Sequence, residues 1–389
     1  MGIIWGNWDV RVYAANAWVR LALRFAAEHP LIIDKLEAVL ADPVPSVRIQ
    51  AAQNLQVISA VAPERMWAMG ERIATQEAHM EVLTAYLNDS MGRFSHSDPE
   101  RCEAVLAIVK TRLDGGLDNE NKGHSYLQEC LGGLTAQLFV GQGRALPRAW
   151  LEEWITDPRR YHDLLNGFTS PLRAAFFNRY EPEAEPEARA MCDRAREGLA
   201  LILGSMTAIA AEAYGVLVSD ADQGEKLAAR EKYKAAEMVM HHAINQLYFG
   251  SGAYADNPER RPGLPDSAAM ARFLDDYADI LTLFARSREP ATLHHLIELY
   301  EFLIPGDPVR VFEAIYSILL GRGEEEGYHH ESLGSTAVVG IVRCYIADYR
   351  TIFEDEGRRT RLVAILRLFS KVGWPEALNL LHDLPDLLR

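Results

Sequence analysis

The residues best spaced for chemistry in this 389-residue chain are Asp275, Asp276 and Asp279, which read Asp-Asp-Tyr-Ala-Asp. On one continuous helix Asp275 and Asp279 share a face at i, i+4, a spacing with which two carboxylates can hold a magnesium–diphosphate group. No second acidic motif of that kind occurs in the sequence, and a chain this rich in acids presents many solvated carboxylate faces. Three His-His pairs, at 241–242, 294–295 and 329–330, offer ligand chemistry. Adjacent helical residues point about 100° apart, so neither helical pair clamps a metal by itself. The third pair lies in the acidic stretch Glu324–Glu331, expected to be a flexible, solvated loop. HExxH, GxxxxGK[ST] and GxSxG are all missing, and no nucleophile has an evident base beside it. Cys102, Cys130, Cys192 and Cys344 are too widely spaced for a zinc knuckle or a CxxC pair, and suit reduced thiols in a cytoplasmic protein. No catalytic residue, metal site or cofactor is assigned on this reading.

The elements that must position these residues are helices. Apolar residues recur with helical period throughout, and no run alternates as a strand does. Asp-Pro at 42–43, 98–99, 157–158 and 307–308 reads as N-cap followed by first helical residue, with Pro45 able to delay the first of these. Single helices are predicted over 46–60, 77–90 and 266–287, and longer ones over 186–218 and 223–249. Leu199–Val218 is the one stretch of membrane length, but it carries Glu212, so a helix inside a stack is expected rather than a span. No leader-like segment stands at the N-terminus. With 40 basic against 55 acidic residues the net charge is −15, which disfavours binding to nucleic acid through its phosphates.

One pattern repeats. Val10-Arg11 with Ala14 and Ala15, and Val47-Arg48 with Ala51, Ala52 and Leu55, lie 37 positions apart. Self-similarity at such a period marks a solenoid, whose units bury their apolar faces by stacking. Asp42, Val47, Arg48, Ala51, Ala52 and Leu55 resemble the second helix of a HEAT repeat. The resemblance implies that Asp42 and Arg48 join a hydrogen-bond ladder between neighbouring repeats, with Val47 filling the space between helices and Arg11 in the matching place one repeat earlier. Asp307-Pro308-Val309-Arg310 echoes the motif with shortened spacing.

The fold expected is therefore all-α, a HEAT-like superhelical array of antiparallel helix pairs, more irregular in its C-terminal half. Residues 1–180 form the HEAT-like region and 181–389 a region of longer helices, divided at the acidic Glu181–Glu187 segment. A non-catalytic scaffold or recognition module that binds a protein partner or itself is the function such an array implies, by analogy part of a bacterial multidomain system. Two other classes stay open: a HEAT-like enzyme or nucleic-acid-repair module, and an isoprenoid-type synthase using Asp275, Asp276 and Asp279 with magnesium. Candidate partner-binding residues are Trp5 and Trp8, Arg260 and Arg261 in the breaker-rich 250–265 loop, and Leu387 and Leu388.

Overall fold

The computed structural model describes residues 9–116, 122–181, 183–255 and 263–387, and among them there is helix and turn but no strand. Helix starts are written in the sequence. Asp9, Asp98, Asp222, Asp266, Asp307 and Asp355 each accept an amide hydrogen of the following first turn. Proline is the first helical residue at Pro99, Pro158 and Pro308, and the start after Asp42 is delayed to Pro45.

The chain divides into two compact units, Met1–Trp154 with Asp163–Pro171, and Ile155–His162 with Leu172–Arg389. The acidic segment around Glu181–Glu187 lies inside the second of these. Unit 1 contains α1 (Val10–Phe25), α2 (Leu31–Leu40), α3 (Pro45–Ala52), α4 (Pro63–Gln76), α5 (Met80–Ala85), α6 (Pro99–Asp114), α7 (Lys122–Ala136) and α8 (Ala145–Trp154), and shares α9 (Pro158–Thr169) with unit 2. A front row stacks α1 on α3, α3 on α5 and α5 on α7. A back row runs α2, α4, α6, α8 and is tied by ion pairs: Arg65 to Asp34 and Glu37, Arg101 to Glu64, Lys110 to Glu153. Short connections between the rows make successive helices antiparallel, the HEAT-like arrangement.

Unit 2 holds α10 (Leu172–Ala175), α11 (Pro186–Val218), α12 (Gln223–Ser251), α13 (Ser267–Asp276), α14 (Ala278–Phe284), α15 (Pro290–Leu303), α16 (Pro308–Ile318), α17 (Ser332–Asp348), α18 (Glu356–Lys371) and α19 (Pro375–Leu387). The α11–α12 hairpin dominates it, and α12, α15, α17 and α19 stack in series. By length and composition α11 could cross a membrane. Here one stripe of it, including Cys192, Leu199, Ile202, Leu203 and Met206, is buried in the helical stack.

Two predicted single helices are broken. The 46–60 helix stops at Ala52 and resumes as a 3-10 turn at Leu55–Ile58. The 266–287 helix breaks at Tyr277, which has φ −111° and ψ 14°. Tyr277 is fully buried, stacks on Phe273 at 4.4 Å and donates its hydroxyl to Phe176 O at 3.3 Å. Those tertiary contacts outweigh the helical preference of the flanking sequence.

Candidate functional site

A groove of about 1000 Å³ runs across the front row of unit 1. Its walls come from α3 (Ile49), α5 with its extension (Glu81, Thr84, Asn88, Asp89), α7 (Tyr126, Glu129, Cys130, Leu134) and the end of α9 (Gly167, Ser170, Pro171). Two structural features make room for it. Both α5 and α7 end in a wide π turn, Tyr86–Ser90 and Gln137–Gly141, which delivers Asn88, Asp89 and Gln137 to the rim. At its floor α7 and α9 cross in backbone contact. A Cβ on Gly132 would lie 2.1 Å from Leu164 O, and one on Gly167 would lie 2.1 Å from Glu129 O. Only glycine fits at either place.

A ladder fixes the spacing of the helices that carry these walls. Arg11 donates to Asp42 Oδ2 at 2.5 Å, and Asp42 Oδ1 accepts Val44 N at 2.8 Å. One repeat further on, Arg48 donates from Nε and Nη2 to the two carboxylate oxygens of Glu77, both at 2.7 Å, while Glu77 Oε1 accepts His79 N at 2.8 Å. Each rung is thus an arginine of one front helix held by a carboxylate just before the next. Arg48 also donates to the Asp42 backbone oxygen at 2.8 Å, so the two residues enter the ladder through different side-chain partners, Asp42 with Arg11 and Arg48 with Glu77. Burial pushes the Glu77 carboxyl up, but the Arg48 and His79 hydrogen bonds outweigh it and hold it below its ordinary value. Val47 sits between the helices, packed on Val12 and Ala15 of α1. In the back row, Arg112 of α6 donates to Ala74 O of α4 and to Glu77 O just after it.

The lining is acidic: Glu81, Asp89 and Glu129 stand in it, and among the described residues that line it none is Lys, Arg or His. Tyr126 projects into solvent at its edge, 66% exposed. Burial and the neighbouring Asp89 push the Cys130 thiol up to about 12, which disfavours its thiolate.

In unit 2 the three aspartates do not form the expected i, i+4 pair. The break at Tyr277 separates them, and each has its own partner. Asp275 accepts Arg310 at 2.6 Å, Asp276 accepts the Tyr180 hydroxyl at 2.7 Å, and Asp279 accepts Arg196 at 2.6 Å. They clasp neighbouring helices. The first two histidine pairs meet on the α12–α15 contact, where the rings of His241 and His295 lie 5.6 Å apart and His295 lies 4.8 Å from Tyr248. His294 Nδ1 is 3.0 Å from the Tyr328 hydroxyl and His295 Nδ1 3.2 Å from Glu298. Burial, with neighbouring imidazoles adding to it, lowers the pKa of His241 and His294. The third pair is in a 3-10 turn, Tyr328–His330, rather than a solvated loop, and His329 O accepts Trp374 Nε1 at 3.0 Å. No three His, Cys, Asp or Glu side chains converge to hold a metal among the described residues.

Trp5, Trp8, Arg260, Arg261 and Leu388 lie outside the described residues, and Leu387 is the last residue of α19. Glu77, Glu81, Asp89 and Glu129 were missed by sequence reasoning. Their one visible signal is the Gly132-Gly133 pair inside an otherwise helical segment, which marks a close backbone approach.

No family model matches the chain, and no curated protein matches it. Among solved structures, the crystal structure of Kap121p is similar over 92% of this chain and 39% of that one, at 14% identity and a TM-score of 0.38. The chain spans about two fifths of that protein's length, and a likeness of this degree carries no argument about function.

Proposed function

We propose that this chain is a non-catalytic scaffold that binds a protein partner, and that the front-row groove of unit 1 takes an extended, basic segment of that partner. The observation that carries the reading is a groove of about 1000 Å³ with three carboxylates and no basic residue among the described residues that line it. An extended segment suits a trough crossing several helices, and Lys or Arg side chains suit carboxylates at its walls. The same charge disfavours the repair-module alternative, since phosphates would be repelled. The engagement of Asp275, Asp276 and Asp279 by Arg310, Tyr180 and Arg196 likewise speaks against the isoprenoid-type synthase. Four free thiols fit a reducing, cytoplasmic setting.

The test is fluorescence anisotropy with a labelled peptide of alternating lysine and leucine, beside one of alternating glutamate and leucine. Expected are saturable binding of the first alone, weakening with salt, and a loss of about tenfold or more in the Glu81→Lys/Asp89→Lys variant. Equal binding of both peptides, or no effect of the substitutions, refutes the groove.

A further inference from the structure

Exposed apolar surface is concentrated at α1. Of the fifteen large apolar side chains that are exposed among the described residues, six fall between Val10 and Leu31: Val10, Tyr13, Leu21, Leu23, Phe25 and Leu31. Val10, Tyr13, Ala14, Ala17 and Leu21 recur at three- and four-residue steps, so they form one stripe along the helix. The 37-residue repeat shows what such a stripe is for. It aligns Val10 with Val47, Ala14 with Ala51 and Leu21 with Ile58. In the second repeat those positions are 3%, 2% and 0% exposed, with Val47 packed on α1. In the first, Val10 is 79% exposed and Leu21 39%. The stacking face that α3 and the 3-10 turn after it bury is present on α1, and no described helix covers it.

The ladder adds an independent observation. Asp9 caps α1 by accepting Arg11 N at 2.8 Å, as Asp42 accepts Val44 N and Glu77 accepts His79 N. Asp42 and Glu77 each also hold an arginine of the neighbouring repeat. Asp9 meets no cation among the described residues. Arg24, in the last turn of the same helix, meets no carboxylate among them.

From these we infer that α1 is a self-association surface, and that its occupant is α1 of a second copy of this chain, packed antiparallel about a two-fold axis at Ala17. Asp9 lies eight residues before Ala17 and Arg24 seven after it, so the carboxylate and the cation stand at nearly equal distances on either side. A two-fold through Ala17 places Arg24 of one copy beside Asp9 of the other, twice over. It sets Tyr13 against Leu21 and brings the small Ala14 and Ala17 to the centre, where helices can approach closely. A patch that complements itself in both charge and shape is the mark of an isologous interface. This surface is separate from the groove, and neither reading depends on the other.

Sedimentation equilibrium of the full chain tests it. The expected result is a reversible dimer at micromolar concentration that dissociates at least about tenfold more readily in Tyr13→Glu/Leu21→Glu, with helix content unchanged by circular dichroism. Charge exchange guards against a variant that merely misfolds. Asp9→Arg alone and Arg24→Glu alone should each self-associate more weakly, and a mixture of the two should recover the dimer as a heterodimer. Ala17→Cys, oxidised, should give a covalent dimer on a non-reducing gel. A chain that stays monomeric at about 100 µM, or growth beyond the dimer into open oligomers, overturns the inference. So does a mixture that fails to recover association.

Discussion

Arg48→Ala is the sharpest probe of the ladder. Arg48 is 15% exposed and Glu77 6%, so the pair is largely out of water, and the two 2.7 Å bonds engage both carboxylate oxygens. Removing the guanidinium leaves the Glu77 carboxylate with the His79 amide as its donor and opens Asp42 O. Breaking a fully buried pair from one side costs about 3–5 kcal/mol; with Arg48 still touching water, about 3 kcal/mol is expected. For a unit of this size that is a fall of roughly 6–12 °C in melting temperature. The two units need not melt together, so the transition should be followed by calorimetry and assigned to unit 1 by a fragmentation-free probe such as hydrogen exchange of α3 and α5. A double-mutant cycle with Glu77→Gln isolates the pair, because the second substitution should cost far less once the first is made. The acid dependence has a definite sign. Glu77 has a folded pKa below its ordinary 4.5, so its contribution is present above pH 4.5 and is lost as pH falls through the lowered folded value. Wild type and Arg48→Ala should therefore converge in acid. Melting temperatures that agree within about 1 °C at pH 7, or strictly additive single variants, refute the rung.

Two further outcomes follow from the packing and burial. Gly132→Ala should destabilise unit 1 by at least about 2 kcal/mol, because its Cβ would meet Leu164 O at 2.1 Å, whereas Gly133→Ala, at 3.5 Å from Gly167 O, should be neutral or mildly stabilising; paired denaturant melts decide it. Burial, with the Glu298 charge adding to it, raises Glu301 to about 7, so the folded chain keeps a proton that the unfolded chain releases near 4.5 and stability is lost as pH rises between those values. Glu301→Gln should match wild type at pH 4 and exceed it at pH 8 by on the order of 1–2 kcal/mol after allowing for partial exposure, and equal melts at pH 8 would overturn that assignment.

What the sequence showed and what it hid follow from the range of the interactions. The all-α class, the helix starts and the Val47-Arg48-Ala51-Ala52 helix were legible because caps and periodicity act over a few residues. Arg48's partner was not. Glu77 lies 29 positions away in a loop, and the length of α4 sets its register, not a motif. The same limit misplaced the aspartates: 266–287 contains no glycine, and the helix breaks because a buried tyrosine must reach Phe176. The groove was hidden for a third reason. Its carboxylates come from α5, its π turn and α7, and the wide turns that aim them have no sequence marker of their own. Yet the glycines that let α7 and α9 touch were in plain view, and a glycine pair inside a helical segment is a site where backbone, rather than side chain, makes the contact. The architecture is thus set by local signals repeated along the chain, while the groove is set by where the repeat is broken. Substitutions that restore the regular pattern, such as alanine at Gly132, should force α7 and α9 apart and damage binding and stability together. A change at the exposed Asp89 should separate the two, leaving the melt in place and weakening the basic peptide.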